Sequence, residues 1–247
     1  MSFRAEKKVN YYDCDGSNLL KISAAMRYMQ QTSSEHLEAL DMSPAKLYEG
    51  NMVFLLTKMT IKAHRMPEST EPIIVGTQAV EIKGVRFVRE FTIDSPGGER
   101  LISALSQWVL ADPKSHKILR PSSFPYELPL GGSILSGGVA DQQIPKEAGD
   151  TKRLRDQILV RYSHLDLNRH VNNCVYADFV CDSLPYEQLI ARGIDTLAIH
   201  FQNEAKWGEV LSITTSVLSD REYHLSARHG DGAACFGAHI LLGELKH

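Results

Sequence analysis

The stretch VRYSHLDLNRHVNNCVYADFVCDSLP, residues 160–185, decides how the rest of the chain is read. It opens as a short strand carrying Val160 and Tyr162, passes through a polar turn, and continues as a helix that Pro185 stops. The turn sets Asp166, Asn168 and His170 at alternate positions, with Asn172 and Asn173 behind them. A carboxylate, an amide and an imidazole at a helix start suit chemistry on a polarised carbonyl. Helix-start amides lack intrahelical partners, and the helix dipole favours developing negative charge. The same residue types also cap helices with no chemistry at all, so the turn alone leaves both readings open.

Upstream, the pattern of this stretch already occurs once. Val9, Tyr11 and Asp15 correspond to Val160, Tyr162 and Asp166 at one offset (160 − 9 = 162 − 11 = 166 − 15 = 151). VNYYDCD, residues 9–15, alternates like a strand and meets Gly16, Ser17 and Asn18, which are turn and cap residues. A long helix is expected over residues 19–40. Its Leu19, Ile22, Met26, Met29, Leu37 and Leu40 share one face, interrupted by Ser33. A second, short helix is signalled by Ser43 as cap, Pro44 at its first position and Gly50 past its end.

Strand runs follow at about residues 53–63, 73–82, 85–93 and 101–111, separated by Met66-Pro67, Lys83-Gly84 and Ser95-Pro96-Gly97-Gly98. After the helix of the second half come similar runs near 196–204, 210–218, 223–228 and 233–242. Residues 121–150 are rich in Gly, Pro and Ser and show no periodicity, so they read as a linker. The expected organisation is a first domain over 1–120, a linker over 121–150 and a second domain over 151–247, each an α+β unit of one helix and an antiparallel sheet. The first turn has no histidine, so the second half is expected to hold the working site and the first to contribute shape.

Composition narrows the function classes. The 247 residues are 43% hydrophobic and 23% charged, with 27 basic against 30 acidic residues and a net charge of −3. That balance gives no electrostatic footprint for nucleic acid. No run approaches the roughly 20 apolar residues that span a bilayer, and the amino terminus has no apolar signal core. Cys14, Cys174, Cys181 and Cys235 are scattered without metal spacing, which suits reduced thiols in a cytoplasmic protein. No metal or organic cofactor is expected.

LDLNRHVNNCVYADFVCDSLP resembles the signature of the acyl-acyl carrier protein thioesterases, an Asp-x-Asn-x-His-Val-Asn-Asn run leading into the central helix. IHFQNEAKWGEVL is similar to the same family's strand with an essential glutamate, which falls on Glu204, and SALSQWVLADPKSHKILRPSSFP to its Trp-containing strand. The resemblance implies a tandem, or double, hot-dog fold forming an internal pseudo-dimer, either monomeric or further paired as a homodimer. It implies hydrolysis of fatty acyl-acyl carrier protein, with Asp166, Asn168, His170 and Glu204 as the catalytic set. Plant members usually carry a Cys after the glutamate; Ala205 stands there, which excludes a thiol nucleophile at that place.

His170 or Glu204 would activate water, helix-start amides with Asn168 would hold the oxyanion, and Asp166 would either orient the turn or attack the thioester itself. Lys152, Arg153 and Arg155 read as a solvated strand entry or as a dock for the acidic carrier. The remaining histidines, among them His36, His64, His116 and His224, read as surface or satisfied core residues. Rival readings are an acyl-CoA thioesterase, a hot-dog hydratase, which the absent proline in the Asp-x-Asn motif disfavours, and a non-catalytic acyl binder.

Overall fold

The first strand, β1, covers Phe3–Lys8 and so precedes the run expected to form it. Residues 9–15 instead form a tight turn, with a single 3-10 turn at Tyr11–Asp13. The alternation of VNYYDCD is misleading because Tyr11 and Tyr12 are exposed, and Val9 is the only residue of that run to enter the core. The second half repeats the correction: β6 is Arg153–Leu159, and Tyr162–His164 is a 3-10 turn. These assignments come from a computed structural model, which describes residues 2–135, 139 and 153–245.

Two compact units divide the chain, Met1–Ala140 and Asp141–His247. In the first, α1 (Ile22–Ala39) starts three residues later than its apolar period suggests. Leu19 and Leu20 are drawn into bridges with Glu68 and Cys14, so they extend the turn rather than the helix. The apolar stripe of α1 packs against β1 and β3 (Pro72–Lys83), with Met26 and Met29 fully buried. α2 (Pro44–Glu49) follows, and the Ser43 hydroxyl accepts the Lys46 N–H as its cap. With β2 (Val53–Ala63), β4 (Arg86–Asp94) and β5 (Arg100–Ala111), the antiparallel sheet runs β1-β3-β4-β5-β2. The β3–β4 connection turns on Gly84 at φ 62, a left-handed conformation that glycine adopts without steric cost.

The described first part of the Gly/Pro-rich segment, residues 121–135, packs on this unit. Phe124 meets Phe54 and Phe87 edge-on at 5.5 and 5.9 Å, beside the buried Leu47, Met52 and Leu110. Further on, buried Glu90 accepts from the Ser133 hydroxyl and the Ile134 N–H. His36 on α1 is a core residue: its Nδ1 accepts from the Arg89 guanidinium at 3.1 Å, and its ring stacks on Phe3. Burial, then the Arg89 charge, pushes the His36 imidazole down to about 4.

In the second unit the central helix is split. α3 (Val175–Asp182) and α4 (Tyr186–Arg192) flank Pro185, which cannot continue a helix from α3. Strands β7 (Ile194–Phe201), β8 (Val210–Val217), β9 (Glu222–Arg228) and β10 (Ala234–Leu242) join β6 in the antiparallel order β6-β8-β9-β10-β7. That is the strand order of the first unit, element for element. The inner face of this sheet carries Leu197, Ile199, Ile213, Leu225 and Ile240, all nearly inaccessible.

Candidate active site

Two loops of the second unit meet through the backbone and carry the expected residues. The first spans 161–174. Asp166 N–H donates to His170 O at 2.9 Å, Arg169 N–H donates to Asp166 O at 3.0 Å, and Leu165 bridges Val171. This short reversal places Arg169 at φ 63. The second loop spans 202–209 and is sewn to the first: Val171 N–H donates to Ala205 O at 2.9 Å, and Val160 N–H to Glu209 O at 2.8 Å.

That stitching brings His170 and Glu204 together. His170 Nδ1 lies 3.0 Å from Glu204 Oε2, with the imidazole about one-fifth and the carboxylate about two-fifths exposed (21% and 42%). With Nδ1–H donating to the carboxylate, the neutral ring keeps its lone pair on Nε2, the arrangement of an oriented general base. Asp166 stays within its own loop: its Oδ1 accepts the Asn168 backbone N–H at 2.8 Å. Asn168 is exposed, and it is this backbone N–H, rather than its side chain, that meets Asp166.

The helix-start amides differ from expectation, because α3 begins at Val175, well past His170. Val171 N–H goes to Ala205 O, Asn172 N–H to His164 O, Val175 N–H to Asn172 O, and Cys174 N–H to Asn172 Oδ1. Among the described residues from Val171 to Ala177, the Asn173 and Tyr176 N–H groups have no protein acceptor. The helix therefore does not present an open row of donors, and these two amides remain.

Two further His–Glu contacts occur in this unit, His229–Glu209 at 2.9 Å and His239–Glu222 at 2.7 Å. Glu209 corresponds to Glu71 (209 − 71 = 138), which Arg65 binds in the first unit. That corner is thus tied through its glutamate in both halves, as a brace. The His170–Glu204 pair has no such counterpart: the matching positions are Leu19 and Met66 (170 − 19 = 151; 204 − 66 = 138). Among the described residues, no group of three or more His, Cys, Asp or Glu is placed to hold a metal ion.

Residues 1–122 match the acyl-ACP thioesterase N-terminal domain family and residues 147–240 the acyl-ACP thioesterase C-terminal domain family. The chain belongs to the acyl-ACP thioesterases. A chloroplastic acyl-[acyl-carrier-protein] hydrolase, FATB2, from Cuphea viscosissima is 24% identical over 229 residues, which is 87% of this chain and 55% of that protein. The chain therefore spans little more than half of that relative's length. An acyl-ACP thioesterase structure from Bacteroides thetaiotaomicron superposes with a TM-score of 0.83 at 18% identity, over 98% of this chain and 97% of that one. A 12:0-ACP thioesterase from Umbellularia californica does so at 0.78 and 17%, over 98% and 96%. The fold of this family, two hot-dog units in tandem, is the fold of this chain.

Within this chain, one polar residue of the site region escapes a reading of the sequence. Tyr176 on α3 is buried among Phe179, Phe201 and Phe236, and its hydroxyl accepts the Ala205 N–H at 3.2 Å. Burial, then the neighbouring Cys235, pushes the phenol well above its ordinary range, so it stays protonated. Tyr176 thus holds the backbone one residue past Glu204. A tyrosine among the apolar positions of a core helix is the available signal, since a buried phenol needs a partner. Of the basic cluster, Arg153 and Arg155 are exposed on β6, and Lys152 lies outside the described residues.

Proposed function

We propose that this protein hydrolyses the thioester joining a fatty acyl chain to acyl carrier protein, in the cytoplasm, with Asp166, Asn168, His170 and Glu204 as its working residues. The observation that carries this reading is the 3.0 Å His170–Glu204 contact, set on a loop pair that the first half builds with Leu19 and Met66. In domain terms, 151–247 does the chemistry, 1–120 contributes shape, and 121–150 connects them.

In the proposed route, His170 Nε2 takes a proton from water as the hydroxide oxygen bonds to the thioester carbonyl carbon. The carbonyl π electrons move to oxygen. Glu204 stabilises the imidazolium through Nδ1–H, and general-base action of this kind is worth about 10²- to 10⁴-fold. The Asn168 side-chain amide and the Asn173 N–H are the donors at hand for the oxyanion, and one well-placed donor contributes roughly 3–4 kcal/mol. Collapse breaks the C–S bond, and the departing thiolate takes the imidazolium proton, leaving free acid and carrier thiol. Asp166 keeps the loop in shape through its hold on the Asn168 N–H. In the other route Asp166 attacks the carbonyl carbon and expels the carrier thiolate, and water that opens the mixed anhydride at the Asp166 carbonyl carbon would put solvent oxygen into that carboxylate.

The test is thiol release from a series of acyl groups on acyl carrier protein and on CoA, with single turnover in heavy-oxygen water. Release from the carrier form, with the label in the fatty acid and none in Asp166, is expected. Release from CoA alone would reassign the substrate, and release from neither would overturn the thioesterase reading.

A further inference from the structure

The two halves build the same loop pair but finish its tips differently. Backbone bonds correspond closely: Asn18 N–H to Asp15 O at 3.1 Å matches Arg169 N–H to Asp166 O at 3.0 Å, and Leu20 N–H to Pro67 O at 2.8 Å matches Val171 N–H to Ala205 O at 2.9 Å. At the tips the first half carries Asn10, Gly16, Asn18, Glu68 and Ser69. The second carries Arg161, Leu167, Arg169, Lys206 and Trp207 (161 − 10 = 167 − 16 = 169 − 18 = 151; 206 − 68 = 207 − 69 = 138).

The fold does not require the second set, because the first half folds these loops without it. The second set also carries costs. Leu167 is fully exposed and Trp207 is 70% exposed, whereas the exposed Tyr162 has a similarly exposed counterpart in Tyr11. Arg169 sits at φ 63, where its counterpart Asn18 sits at φ 64; asparagine tolerates that region far better than a long side chain does. Formal charge at the tips changes from −1 (Glu68) to +3 (Arg161, Arg169, Lys206) in a chain whose net charge is −3. Exposed apolar residues with cationic residues next to them in sequence form a collar on the loops that carry His170 and Glu204, where Lys206 bridges His170 through the backbone. Such a mixed surface is shaped for a partner.

We propose that this collar docks acyl carrier protein itself, an acidic partner that must settle beside the His170–Glu204 pair to deliver a tethered thioester. The proposal rests on the thioesterase reading above. Trp207 and Leu167 supply the buried contact, while Arg161, Arg169 and Lys206 steer the encounter and fix its register.

The experiment replaces the tips with the first half's own residues, L167G and W207S in one variant and R169N and K206E in another. Rates are compared on carrier-bound acyl substrate and on the same acyl group as a small N-acetylcysteamine thioester. Expected is a loss of about tenfold or more in kcat/KM on the carrier substrate, carried by KM, with a flatter salt dependence in the charge variant. The small thioester should react within about twofold of wild type in both. Equal losses on both substrates, or no loss on either, would overturn the docking surface. Titration of apo acyl carrier protein into wild type and variants decides the matter independently of turnover. Binding that the variants lose supports the dock even if no thioester is cleaved, and binding that they retain overturns it. Sedimentation with phosphatidylglycerol–phosphatidylcholine vesicles covers the remaining source of negative charge. Vesicle binding lost in the variants, with carrier kinetics unchanged, would make the collar a lipid contact and overturn the proposal.

Discussion

The loop pair of the first unit and that of the second share a backbone and differ in chemistry. Asp15 and Asp166 each cap their turn through Oδ1, Asp15 accepting from Ser17 N–H at 2.8 Å and Asp166 from Asn168 N–H at 2.8 Å. Beyond that point they part: Leu19 and Met66 stand where His170 and Glu204 meet. The shared carboxylate is therefore explained by turn geometry in both halves, and what distinguishes the second is the imidazole and its carboxylate partner. A duplicated chain thus contains its own control, with each site residue beside the residue the fold accepts in its absence.

The sharpest break in that comparison is Glu204→Met, which gives the second half the first half's residue. Turnover of acyl-carrier substrate should fall by at least about a hundredfold as His170 loses its orienting partner. Melting should stay close to wild type, since the Glu204 carboxylate is about two-fifths exposed (42%).

A second contrast lies inside α1. His36, held neutral against Arg89, is protonated more readily when unfolded, so the unfolded state binds more protons between its ordinary pKa and about 4. The stability it contributes is present above about pH 6.5 and is lost as pH falls toward 4. The loss should reach roughly 3 kcal/mol at the acid end of that range. Urea titrations of wild type and His36→Gln across it check the expectation, and the variant should show a flatter profile.

Tyr176→Phe comes next in size. It removes the acceptor of the buried Ala205 N–H, costing about 1–3 kcal/mol in melting experiments. A positioning role adds a several-fold drop in kcat with KM little changed, a split that destabilisation alone would not produce. The smallest effect belongs to Leu167→Gly and Trp207→Ser, which should change stability by no more than about 0.5 kcal/mol, as exposed residues do.

Much of this is legible in the chain. β2 follows the apolar run 53–63 to the residue, and α2 follows its Ser43, Pro44 and Gly50 signals. The duplication shows in the repeated order of elements even though few residues match. β1 escapes because FRAEKK is a charged edge strand, paired to β3 alone, with alternate residues in solvent. The start of α1 is illegible because apolar period cannot tell a helical Leu19 from one held in a bridge. At the site, the Asp166–His170 motif is local and readable. The pairing of His170 with Glu204 depends on Val171 reaching Ala205 across the fold, so residue similarity points to it and periodicity does not. The same long-range contact explains why Tyr176 stays hidden in the sequence.

The central claim, that the His170–Glu204 pair is what makes the second half a catalyst, is tested most directly by His170→Leu. The measurement is the single-turnover rate of thiol release from acyl-carrier substrate, with melting recorded on the same preparation. A loss of about 10²- to 10⁴-fold with unchanged melting is expected. A variant that folds and releases thiol at the wild-type rate would contradict the account.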